Sequence, residues 1–251
     1  MNMKSFCSRL ALLSAIFFAC TFSAFGQTTE RNLDGWHIGI IGEGNVAQKI
    51  SVTPHSTSYV PFKAVPMLGW KVGAEFSYHF AKYFGVSCGI SYGTVGQWKV
   101  IREYNSVPWG HRASYVQLPI HFEFHSQLGQ SNFWFYSSAG INLAFNPFYR
   151  RAGAVMGIEN YNDKVSAQFT AQSNPPVFVD AVLNAGFYYR LPYNDLLRFG
   201  FVANFSFSSQ YVGSYTVYGL NPDSGTLNYK HNYLGFQVGY IHCFKKKSST
   251  K

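Results

Sequence analysis

The sequence predicts an all-β fold: an eight-stranded antiparallel up-and-down transmembrane β-barrel with long extracellular loops and short periplasmic turns. Three observations carry that expectation. Apolar residues alternate with small or polar ones along eight separate stretches, the period of a strand with two unlike faces. The connections between those stretches alternate between long and short, as in barrels of the bacterial outer membrane. Charged residues make up 12% and aromatic residues 19% of the 251, yet no apolar run after the N-terminal segment is long enough for a spanning helix.

The chain divides into three segments. Residues 1–26 have the parts of a secretory signal: Lys4 and Arg9, an apolar core from Leu10 to Phe22, and Ala24-Phe25-Gly26 as a small-x-small cleavage site. A lipoprotein signal at Cys20 is the competing reading, and Phe17 and Phe18 stand where aliphatic and small residues are preferred. Residues 27–244 form the barrel domain, and 245–251 a basic tail. The formal charge of +9 falls to +7 without Lys4 and Arg9, and Lys245, Lys246, Lys247 and Lys251 supply much of the remainder. The excess is therefore a tail rather than a nucleic-acid surface. Only Cys88 and Cys243 stay in the exported chain, which implies no disulfide framework, and no metal-ligand spacing occurs. No cofactor is expected.

Taken in order, the first strand places Trp36, Ile38 and Ile40 on one face and gives way to a loop from Gly44 to Val65. Leu68 to Phe80 alternates almost without a break, Ala81-Lys82-Tyr83 turns, and Phe84 to Tyr92 returns. A loop from Gly96 to Arg112 leads to the hairpin Ala113–Phe145. There Val116, Leu118, Ile120, Phe122 and Phe124 oppose Tyr115, Gln117, His121, Glu123 and His125, while Phe133, Phe135, Ala139, Ile141, Leu143 and Phe145 oppose Ser138, Gly140 and Asn142. An irregular segment from Asn146 to Pro176 follows. Strand six runs from Val179 to Arg190, Pro192-Tyr193-Asn194-Asp195 turns, strand seven covers Leu197 to Ser208, and a loop from Gln210 to His231 precedes strand eight, which closes on Phe244.

The small and polar row suits the narrow inside of an eight-stranded barrel, so the apolar row faces lipid. Trp36, Phe80, Phe84, Phe122, Phe124, Phe133, Phe135, Tyr189, Phe199 and Phe244 would then form an interfacial girdle near the periplasmic rim. A lipocalin-like barrel is the alternative with the faces reversed. Pro119 lies inside a strand of a closed barrel, where its missing N–H demands a bulge or a skipped ladder bond.

Two resemblances bear on role. Gln237, Gly239, Tyr240 and Phe244 resemble the C-terminal signal read by the barrel-assembly machinery. Tyr115-Val116-Gln117-Leu118-Pro119, followed by a strand with Ala139-Gly140, resembles the PorT-like outer-membrane β-barrel family of Gram-negative bacteria. That resemblance implies an eight-strand outer-membrane barrel, and its namesake implies an accessory role in type IX secretion.

Inner-row Lys71, Glu75, His79, His121, Glu123, His125, Asp180, Arg190 and Arg198 are the candidate interior network. His79, Glu123, His125, Arg190 and Arg198 belong toward the periplasmic end, Lys71 and Asp180 toward the outer end. In so narrow a lumen they must pair, giving an ion-paired plug rather than a porin-like path. His121, Glu123 and His125 share a face, but about 7 Å separates each from the next, too far for one metal ion. No His-x-Ser occurs, and His242 is the one outward strand histidine, with no hydroxyl beside it, so no enzyme is expected. A lipid-modifying enzyme and a small-solute pore are the alternatives. Arg150 and Arg151 are loop candidates for lipopolysaccharide or a partner. The expected setting is a monomer among outer-membrane lipid and lipopolysaccharide, with the assembly machinery and secretion-system proteins as partners.

Overall fold

The computed structural model describes residues 33–47, 51–55, 63–65, 68–101, 109–146, 152–159, 164–173, 177–217 and 223–244. Residues 1–26, read above as an export signal, Arg150, Arg151 and residues 245–251 lie outside the described residues. Fourteen strands are formed among those described. The first seven are β1 (Gly35–Ala47), β2 (Ser51–Pro54), β3 (Lys63–Val65), β4 (Leu68–Ala81), β5 (Phe84–Ile101), β6 (Trp109–Gln127) and β7 (Phe133–Phe145). The rest are β8 (Ala152–Glu159), β9 (Lys164–Ser173), β10 (Val177–Arg190), β11 (Leu196–Ser206), β12 (Ser209–Val217), β13 (Asp223–Lys230) and β14 (Tyr233–Cys243).

Eight of these strands close into an antiparallel barrel, in the circular order β1, β4, β5, β6, β7, β10, β11, β14. Each barrel strand pairs on both sides, so no edge is left within the wall. The register fixes the bore. Val46 faces Leu234, and the partners then run through Ala203, Leu183, Ala139, Phe122, Val86 and Tyr78 to Trp36, ten residues back along the strand where the circuit began. Eight strands with that stagger tilt by about 43° and stand about 8 Å from the axis. Such a bore holds side chains and little else.

Tight turns join β4 to β5, β6 to β7 and β10 to β11, all at one end of the barrel, here the turn end. In the last of them Asn194 takes a φ of 73°, a left-handed conformation that Asn tolerates, and Leu191 N–H donates to the Asp195 carbonyl at 2.8 Å.

Pro119 behaves as its chemistry demands. β6 pairs continuously with β7, including Pro119 opposite Asn142. On the β5 side the pairing passes from Cys88–Ile120 to Ser91–Gln117 with no change of register, skipping Pro119 and Leu118. The ladder is interrupted where the N–H is missing, without a bulge.

Within the four stretches expected as loops, most of the described residues are strand. β1 continues past Gly44 to Ala47, β5 reaches Ile101 and β6 begins at Trp109. A second sheet has the order β2, β13, β12, β9, β8. Its members continue β1, β14, β11, β10 and β7, five neighbouring barrel staves, past the rim in the same lateral order. β3 pairs with the upper part of β5 and so extends β4 in the same way. The barrel wall thus rises beyond the segment whose outer face is apolar.

Along that segment the faces fall as alternation requires. Trp36, Ile40, Leu68, Phe76, Ile120, Phe201 and Leu234 are exposed on the outside, and Glu75, His79, Glu123, Asp180 and Arg198 are buried inside. Of the aromatic row at the turn end, Trp36, Phe80, Phe84, Phe122, Phe133, Phe199 and Phe244 are exposed, while Phe124, Phe135 and Tyr189 are half-buried between neighbours. Cys88 and Cys243 are free thiols.

Candidate functional site

The inward rows converge on the barrel axis in three layers, and the sequence sets each layer by placing glycine opposite a large side chain. At the turn end Leu33, Trp134, Tyr136, Tyr188, Leu196 and Ile241 form an apolar plug. Tyr136 and Tyr188 stack with ring centroids 4.5 Å apart. Tyr136 fits because Gly200 offers no Cβ where the phenol oxygen passes.

Beside that plug three imidazoles stack. His37 and His79 have centroids 4.4 Å apart, and His79 and His125 4.3 Å. Glu123 accepts from His79 Nε2 at 3.1 Å. His79 stands on β4 and Glu123 on β6, with β5 between them, and the two meet because the intervening residue is Gly85, where a Cβ would run into the His79 ring. All four groups are buried.

In the middle layer Arg198 donates to Glu75 at 2.8 Å, and its guanidinium lies 4.5 Å from the Tyr136 ring centroid, a desolvated cation–π contact. Gln237 Nε2 donates to the Tyr136 hydroxyl at 2.6 Å, and Asn184 to Ser138 at 2.8 Å. A cavity of about 50 Å³ lies above Arg198, lined among others by Glu43, Lys71, His121, Asn142 and Gln237. It has room for a few water molecules.

At the opposite end Lys71 Nζ lies 2.6 Å from Glu43 and donates to Tyr233 at 2.9 Å. Asp180 accepts from Asn204 at 2.9 Å and lies 2.6 Å from His231 Nδ1. Tyr115, Phe178 and Tyr233 surround the His231 ring. Tyr115 also donates to Gln210 at 2.7 Å, joining β6 to the start of β12. The Tyr115 and Pro119 positions are thus seats in the wall, and Gly140 is a third, since a Cβ there would strike β6.

Eight of the nine candidate interior residues face the lumen, at the heights the strand directions imply. Arg190 does not join them. β10 ends at Arg190, and the turn that follows brings Asn194 Oδ1 to its guanidinium at 2.9 Å. His121 bonds Asn142 at 3.4 Å and stands apart from the imidazole stack. The sequence alone did not single out His37, Glu43, Asn204, His231 and Tyr233; among the described residues Glu43 and His231 each complete one of the four ion pairs inside the barrel. Glu43 lies where the first strand was taken to be ending and His231 at a loop boundary; the signal available for both was the need of Lys71 and Asp180 for polar partners at their own height.

The outward histidine also differs from expectation. His242 Nδ1 lies 2.9 Å from Asp195, and the Tyr240 hydroxyl donates to the same carboxylate. A hydroxyl is therefore beside it, but the three groups clamp the last strand onto the β10–β11 turn. Among the described residues no three His, Cys, Asp or Glu groups are arranged to hold a metal ion; His37, His79 and His125 lie ring on ring rather than converging.

The fold matches solved barrels of the bacterial outer membrane. The outer membrane protein OprG from Pseudomonas aeruginosa is 14% identical with a TM-score of 0.51, over 85% of this chain and 98% of that one. AlkL, solved by solid-state NMR in DMPC bilayers, is 12% identical with a TM-score of 0.46, over 90% and 97%. The N-terminal β-barrel domain of P. aeruginosa OprF is 11% identical with a TM-score of 0.36, over 82% and 97%. No family model matches the chain, and no curated protein does. The likeness shows the closed eight-strand antiparallel barrel, and the PorT-like resemblance gains nothing from it.

Proposed function

We propose that the chain is an outer-membrane β-barrel protein with a sealed interior, acting as a structural or binding protein through the wall that rises beyond the membrane. Support for the location is physical. On β4 the outward row from Leu68 to Phe80 is apolar throughout, and at the tilt above it spans about 29 Å, the height of a bilayer core. The outer-membrane setting of the OprG fold agrees with this. The turn end then lies in the periplasm and the extended wall outside the cell, with export directed by residues 1–26 and cleavage near Gly26.

The sealed interior is carried by one observation: Arg198, Glu75, Tyr136 and Gln237 meet side chain to side chain across the middle of the bore. In planar bilayers at neutral pH the purified protein gives no single-channel steps; stable steps would overturn the plug. The protein is not an enzyme in this reading, and lipid A from cells with and without it gives identical mass spectra. The narrower secretion-accessory role rests on Tyr115, Pro119, Ala139 and Gly140 alone, and normal secretion by cells lacking the gene would remove it.

A further inference from the structure

We propose that Lys245, Lys246 and Lys247 form a headgroup site that gathers anionic phospholipid around the turn end of the barrel, a reading that rests on the membrane placement above. The site starts from a fixed point. Phe244 N–H donates to the Trp36 carbonyl at 3.0 Å, which ties the end of the last strand to the start of β1. Both side chains are exposed on the outer face, with the Trp36 ring 4.7 Å from that of Tyr78, in the aromatic row at the edge of the apolar band. Lys245 is the next residue. Three residues reach at most about 11 Å, so whatever path the chain takes, all three lysine backbones stay that close to Phe244. The polar layer of one leaflet is about 5–8 Å deep, and charges act through physiological salt over about 8 Å. The lysines are therefore tethered within range of the lipid phosphates.

Charge decides what they meet there. Among the described residues the charged groups at the turn end outside the plug are Asp34, Lys82, Arg190 and Asp195, two of each sign. Asp195 is already engaged by the Tyr240 hydroxyl, by His242 and by the Cys243 N–H. In the sequence ahead of β1, Glu30 is followed at once by Arg31. Residues 245–251 hold four lysines and no Asp or Glu, so their side-chain charge has no match on the barrel and is left for the surroundings. A surface of anionic headgroups attracts each lysine held near it, and zwitterionic lipid offers no such attraction. Because the turn end lies in the periplasm, the leaflet within reach is the phospholipid one.

Trp36 is the reporter, its emission read as the signal lost in a Trp36→Phe variant, and Trp70 serves in the same way for the other end. Two sets of vesicles share one composition, phosphatidylcholine with about 20% phosphatidylglycerol, and carry the same amount of shallow bromine label on one lipid or on the other. At low salt the label on phosphatidylglycerol quenches Trp36 roughly twice as strongly as the label on phosphatidylcholine. The preference disappears at about 0.5 M salt, where screening shortens to about 4 Å. It also disappears when Lys245→Gln, Lys246→Gln and Lys247→Gln are combined, substitutions beyond the last strand that leave heat-modifiable migration intact, and Trp70 reads alike in wild type and variant. Equal quenching of Trp36 by the two labels in wild type overturns the headgroup site and leaves the membrane placement standing. A preference that survives the triple variant assigns the lipid to other groups and overturns it as well. Trp36 untouched by either label overturns the membrane placement, and the headgroup site with it.

Discussion

Arg198 and Glu75 meet at 2.8 Å in the middle of the bore, from β11 and β4, strands that stand apart in the wall. Both are buried, so the pair is largely taken out of bulk water. Glu75→Gln leaves the guanidinium without its counter-charge and costs about 3–5 kcal/mol, whereas replacing both residues together by Gln and Met costs far less. Urea unfolding in detergent micelles of the single and double variants measures the difference; equal losses would show that the pair is solvated.

Tyr136 and Gly200 form a second coupled pair. Gly200→Ala puts a methyl where the Tyr136 hydroxyl passes, breaks the bond from Gln237, and costs about 1–3 kcal/mol. Tyr136→Phe alone leaves Gln237 without that partner. The double variant is less destabilised than the sum of the two, because removing the hydroxyl makes the room the methyl needs, and thermal midpoints of the four proteins measure the coupling.

Asp195 ties the last strand to the β10–β11 turn. Hydrogen bonds from Tyr240, from the Cys243 backbone and from His242 hold its carboxyl below the usual aspartate range. A carboxyl depressed in the folded state stabilises above its unfolded value, about 4, and loses that contribution as pH falls through the folded one. Asp195→Asn is accordingly less stable than wild type at neutral pH, and the gap narrows on acidification below about pH 4. Thermal midpoints at stepped pH follow this; a gap that stays constant would show that the clamp does not depend on charge.

Pro119 interrupts the β5–β6 ladder and costs it a bond. Pro119→Ala restores the N–H but frees the unfolded chain, and these effects oppose each other, so global stability changes by less than about 1 kcal/mol. The new amide is nonetheless protected from hydrogen exchange. Rapid exchange at position 119 would place the break elsewhere.

Trp36 and Trp70 stand on the outer face and Trp134 on the inner one. In liposomes containing brominated lipid the emission of Trp36 and Trp70 is quenched and that of Trp134 persists, as variants retaining one tryptophan each would show. Loss of Trp134 emission would reverse the assignment of faces.

The barrel strands were legible because each carries one unbroken apolar face; Leu68 to Phe80 shows the pattern without a break. The extension strands were not. In Ser209–Val217 tyrosine and valine mingle with serine, glycine and threonine, so no single apolar row stands out. The same division holds in the lumen. Alternation told which side chains point inward, and strand direction told how high they stand. Partners such as Glu43 for Lys71, or His231 for Asp180, depend on where strand ends lie and on how the barrel closes, and closure is a long-range property that periodicity does not carry.

The ten-residue climb from Trp36 to Val46 has a consequence for assembly. Because inward and outward residues alternate, closure can slip only by two residues at a time without turning every face over. Each such slip would change the radius by about 0.7 Å. At the smaller radius the stacked tyrosines and imidazoles collide; at the larger one Arg198 and Glu75 draw apart. The side chains on the axis therefore act as a gauge that accepts one circumference, and a nascent barrel zipped in the wrong register is rejected from within.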